Sequence, residues 1–100
     1  SSAENAALEA IRKAPNNIAY TLNYLKIAKK TKSEIRFLSE LSTAAKQFPN
    51  SPEIALSLAR AYDRNSRYKF RAKEYYIKFI TLDPNHPQRA EAEAAISRLP

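Results

Sequence analysis

The residues available for chemistry in this chain are mostly cations. Its 100 residues include one histidine, His86, and neither cysteine nor glycine. One imidazole without a thiolate or a second imidazole does not make a transition-metal site. Without glycine, the backbone loops that cradle nucleotide phosphates cannot be built. The ten acids are scattered, with no acid–base–nucleophile spacing among them. Glu74, Glu91 and Glu93 read as solvated helix faces, and His86, between a turn and Pro87, reads as a surface-loop residue. No catalysis, metal or cofactor is expected.

The basic residues, by contrast, are patterned. The net charge is +7, and eleven of the 17 lysines and arginines fall in two blocks, 26–36 and 60–73. Lys26 and Arg60 lie 34 positions apart, as do Lys30 and Arg64. Asn23 and Ser57 keep the same interval, one helical turn before Lys26 and Arg60. If a unit of that length stacks on itself, these side chains form two parallel rows. Rows of this kind suit a carboxylate-bearing segment, through charge-assisted bonds and electrostatic steering. Tyr20 and Tyr75 fall off the apolar pattern and are candidates to touch a ligand. The expected binding set is Tyr20, Asn23, Lys26, Lys30, Ser57, Arg60 and Arg64. The charge also admits nucleic acid or another polyanion, although the blocks carry no recognition motif and no glycine–aromatic interleaving.

The elements that would position these residues are set by spacing. Pro-Asn occurs at 15–16, 49–50 and 84–85, in steps of 34 and 35 residues. Ahead of each pair runs an apolar comb with steps of four and three: Ala3, Ala7, Ala10; Phe37, Leu41, Ala44; and Ala72, Tyr76, Phe79. After the first two pairs come Thr21, Tyr24, Leu25, Ala28 and then Ala55, Leu58, Ala59, Tyr62. Such steps place each comb on one face of a helix. Helices are therefore expected over 3–14, 18–30, 34–48, 52–64, 67–82 and 87–99. Ser2, Asn17, Ser33 and Ser51 are the expected N-caps, with Pro52 at a first helical position. Asn65 is expected in the left-handed conformation at a helix end. The extra residue of the longer unit should lie in 63–69.

Residues 52–84 resemble the tetratricopeptide repeat family, whose unit is a helix-turn-helix of about 34 residues. Ala55, Leu58, Ala59 and Tyr62 match its first helix. Ala72, Tyr76, Phe79 and Leu82-Asp83-Pro84 match its second. Residues 18–48 match less closely, with Leu25 and Phe37 standing where smaller residues are usual. The resemblance implies an all-α fold of about six antiparallel helices in a right-handed superhelical stack. It divides the chain into the second helix of a partial repeat (1–14), two repeats (15–48 and 49–83) and a capping helix (84–100). In the last of these, Ala92, Ala95, Ile96 and Leu99 keep one apolar face while Glu93 and Ser97 replace the other. The resemblance further implies a protein-interaction scaffold with a groove lined by first helices, where Lys26 and Arg60 fall. A place within a larger bacterial assembly protein is compatible with it. The family's two-carboxylate clamp needs a Lys/Asn/Arg set over three units, which does not fit here.

With 44% hydrophobic residues the chain can bury a core, though a thin one, because stacked repeats bury side chains only between neighbours. No apolar run approaches the ~20 residues of a membrane span. The expectation is a soluble chain of the cytoplasm or a bacterial periplasm; the lack of cysteine decides neither. An uncovered apolar edge on the N-terminal helix would favour homo-oligomers.

Overall fold

The computed structural model describes residues 2–100, and those residues form six α-helices, one 3₁₀ turn and no strand. The helices are α1 (Ser2–Lys13), α2 (Ile18–Thr31), α3 (Glu34–Gln47), α4 (Pro52–Asp63), α5 (Lys69–Leu82) and α6 (Arg89–Arg98). Each packs chiefly against its neighbours in sequence, giving a body of 40 × 27 × 20 Å. The chain is all-α, as its periodicity requires.

The helix starts follow from local chemistry. The Asn17 side chain accepts from the Ala19 amide at 3.0 Å, Ser33 from Arg36 at 3.3 Å, and Ser51 from Ile54 at 3.2 Å. Each satisfies one of the amides that a helix N-terminus leaves without an internal partner. Ser2 lies inside α1 rather than ahead of it.

The three Pro-Asn pairs build the same turn. Its closing bond runs from the amide of Asn17 to the carbonyl of Ala14, from Ser51 to Phe48, and from His86 to Asp83, at 3.1, 3.2 and 3.2 Å. The third turn explains His86. Its Nδ1 accepts from the Gln88 amide at 3.0 Å, the part played by Asn17 in the first turn. The ring meets Phe79 edge-on at 4.7 Å, and only 15% of the side chain stays exposed. The expected loose surface histidine is in fact a packed capping residue. Because Nδ1 accepts an amide, the neutral ring carries its proton on Nε2, which faces Glu53 at 3.6 Å.

The combs lie inward in α2 to α5. Thr21, Tyr24, Leu25 and Ala28 are buried, as are Phe37, Leu41 and Ala44, and Ala72, Tyr76 and Phe79. Helix α4 is the centre: Ile54, Ala55, Leu56, Leu58, Ala59 and Tyr62 are all buried, more than one face of the helix. Ala28, Ala59, Ala72 and Ala92 are wholly buried. Small residues at such points allow a close backbone approach, so larger side chains there would overpack. The α1 comb is only partly covered, with Ala7 buried, Ala10 half-buried and Ala3 exposed.

Between α4 and α5 two expectations give way. Asn65 is extended (φ −117°, ψ 119°), and no described residue has positive φ. Its side chain caps a 3₁₀ turn, Ser66–Tyr68, by accepting from the Arg67 amide at 3.0 Å. That turn takes up the slack within 63–69, so α5 begins at Lys69 instead of Arg67. Helix α6 likewise starts late, at Arg89, after a turn through Pro87 and Gln88.

Candidate functional site

The cations of α2 and α4 meet at one recess. Ser57 and Arg60 on α4, with Arg64 just past its end, line a shallow hollow of about 30 Å³ together with Phe37 and Lys29. The α2 residue at the recess is thus Lys29, not the Lys26 that the 34-residue interval pairs with Arg60. Lys26, Lys29 and Lys30 are exposed and occupy adjacent turns of one helix face. None of the three has a partner among the described residues. Asn23 is exposed one turn earlier, and Tyr20 is 40% exposed one turn before that.

The two arginines are already engaged. Arg60 donates through Nε and Nη2 to the two carboxylate oxygens of Glu91 on α6, at 2.7 and 2.5 Å. That fork holds the Glu91 carboxyl below its ordinary range and pushes the Arg60 guanidinium up. Glu91 is therefore a cross-helix partner rather than a solvated acid. Arg64 lies 3.5 Å from Glu34, a looser pair whose carboxylate is 80% exposed.

Beside this face stands a polar node that the spacing did not reveal. Asp63 ends α4, where a carboxylate is disfavoured by the helix dipole. Arg98 compensates with two bonds, at 3.1 and 2.6 Å. Lys69 Nζ donates to the same carboxylate at 3.0 Å and also to the Asp63 backbone carbonyl. The Tyr76 hydroxyl donates at 3.0 Å. The Arg98 bonds, followed by those of Lys69 and Tyr76, hold the Asp63 carboxyl far below the carboxylate range. Burial, then the bond to Asp63, pushes the Tyr76 phenol up to about 12. Nothing in the node resembles a proton-transfer site, since every partner stabilises one charge state. It clamps α6 to α4 and α5.

A second concavity, of about 560 Å³, lies between α3 and α5. Tyr62 forms its floor, with Tyr68 and Tyr75 at ring-centroid distances of 5.4 and 5.8 Å. Tyr75 was singled out in the sequence, but its place here was not, because the three rings come from three separate elements.

No family model matches the chain, and no curated protein matches it. Among the described residues no group of His, Asp and Glu is placed to hold a metal ion, and no helix is long and apolar enough to cross a membrane.

Proposed function

We propose that this chain is a non-enzymatic protein-interaction module that receives an acidic peptide or protein segment across α2 and α4. The fold behind it is a tetratricopeptide-type right-handed superhelical stack. In it α1 is the second helix of a partial repeat, 15–48 and 49–83 are full repeats, and 84–100 is a capping helix. The repetition of one turn at Ala14–Asn17, Phe48–Ser51 and Asp83–His86 supports that reading.

One observation carries the functional part. Lys26, Lys29 and Lys30 stand exposed and unpaired on one helix face, next to a recess that also holds Arg60 and Arg64. Elsewhere in the chain Lys32 is paired with Glu4 and Lys69 with Asp63. The lysine face is where an incoming carboxylate meets uncompensated charge, with Arg64 close enough to exchange its loose contact with Glu34. Arg60 keeps α6 in place and orients the wall. Asn23, Ser57 and Tyr20 supply hydrogen-bonding groups along the same rows.

The test uses a fluorescent glutamate-rich peptide and the triple variant Lys26→Glu, Lys29→Glu, Lys30→Glu. Affinity should fall at least tenfold with far-UV circular dichroism unchanged. Unchanged affinity would sink the proposal. Single-stranded DNA that outcompetes the peptide, with a steep fall in log affinity against log salt, would reassign the surface to polyanions.

A further inference from the structure

The α3/α5 concavity is not needed for the cationic face and shares no residue with it. Its chemistry is different. Tyr62, 7% exposed, is the floor, and the half-buried rings of Tyr68 and Tyr75 form a wall. Their hydroxyls have no hydrogen-bond partner among the described residues, yet no buried polar side-chain atom there lacks a partner. Those hydroxyls therefore face water and are free to donate to a ligand. On the opposite rim Ile35 is 80% exposed, above half-buried Leu38. Lys46 and Arg71 share the rest of the lining with Ser39, Ser42 and Ala45, and the Arg71 guanidinium lies 5.8 Å from the Tyr62 ring centre. Lys78 lies the same distance from Tyr75. No acid lines the concavity.

We propose that this groove is a second docking surface, which takes a peptide segment with an aliphatic or aromatic anchor flanked by carboxylates. The anchor would stack on the tyrosines beneath Ile35, while the carboxylates would meet Arg71, Lys46 and the free hydroxyls. Tyrosine and arginine around an apolar floor are the composition of energetically dominant interface pockets. The volume, within the ~300–1,000 Å³ of ordinary ligand pockets, holds one or two side chains. The lining cations, unanswered by any lining acid, select a negatively charged occupant. A lipid surface fits less well, because the aromatic rings lie recessed instead of protruding.

The probe is a labelled peptide in which a leucine–phenylalanine pair is flanked by aspartates, followed by fluorescence anisotropy on the full chain. Ile35→Asp with Arg71→Glu should weaken binding at least tenfold; both side chains are exposed, so the fold should hold. The triple lysine variant of α2 should change affinity by less than about threefold. The same peptide with serine in place of leucine and phenylalanine should bind at least tenfold more weakly. Equal binding of the serine peptide, or loss on mutating α2 with retention on mutating the groove, would overturn this proposal and leave the α2/α4 reading standing. Sedimentation and a vesicle pull-down with phosphatidylserine complete the test. Self-association, or retention on vesicles, that Ile35→Asp abolishes would also overturn it, in favour of a second copy or a membrane surface.

Discussion

Asp63→Asn should be the most informative single substitution in this chain. The change is isosteric, so its cost comes from polarity alone. Arg98, 56% exposed, loses an ionic contact but regains water, so its share of the cost is small. Lys69 loses little, since its ammonium keeps the backbone carbonyl of residue 63. Tyr76 loses most. The residue is 3% exposed and its hydroxyl has no second partner; asparagine can still bond it, so the loss is that of a charged acceptor for a neutral one, about 1–2 kcal/mol. The total is about 1–2 kcal/mol, or a fall in Tm of about 4–16 °C for a chain of this length. Thermal and urea unfolding followed by circular dichroism would measure it. Tyr76→Phe isolates the hydroxyl: in that background Asp63→Asn should cost about 1 kcal/mol or less. An equal cost in both backgrounds would refute the assignment to Tyr76, and a Tm within about 2 °C of wild type would refute the node altogether. The pH dependence has a definite sign. The Asp63 carboxyl is depressed in the folded chain, whereas the unfolded chain protonates it near pH ~4. Its contribution is whole above that pH and drains away as the pH falls further. The phenol of Tyr76, raised to about 12, acts at the other end. Its contribution is whole below the unfolded value of ~10 and is lost as pH rises from there toward 12.

His86→Ala should lose an N-cap acceptor and the Phe79 contact, at about 0.5–2 kcal/mol, while His86→Asn should restore most of the cap; equal losses in urea titrations would contradict the capping role. Ala59→Trp should destabilise by about 1–3 kcal/mol or more, because Ala59 is wholly buried in the central helix; an unchanged urea midpoint would mean that α4 is packed differently. Glu91→Gln should cost about 1 kcal/mol or less and speed amide exchange in α6 ahead of α4; uniform exchange would deny the Arg60–Glu91 tether.

What could be read from the residues alone was whatever a few neighbouring positions determine. Asn17, Ser33 and Ser51 cap as expected because a cap bond spans two or three residues. The combs of α2 to α5 are buried because a step of four and three means one helix face in any stack. Pairings across helices were not legible. Glu91 reads as solvent-facing until α6 folds against α4, 31 positions away from Arg60. Asp63 gathers partners from α5 and α6, and no spacing rule links 63 to 98. Asn65 misled for a different reason. An asparagine after a helix fits both a left-handed stop and an extended cap, and the 3₁₀ turn selects the second. The recess holds Lys29 in place of Lys26, because a matching interval in sequence does not require two side chains on different helices to touch.

The side-by-side packing of consecutive helices bears on how quickly the chain finds its native state. The most distant ties, Arg98 to Asp63, His86 to Glu53, Gln47 to Pro15 and Arg60 to Glu91, close loops of 35, 33, 32 and 31 positions, and the helix pairs in extensive contact are neighbours in sequence. Low mean sequence separation places helical chains of this size among fast folders, with times from microseconds to milliseconds. Nucleation should begin with α4 and α5, which share the most extensive interface, and growth should spread outward in both directions. Substitutions at that hairpin should slow refolding, whereas changes in α1 or α6 should mainly accelerate unfolding.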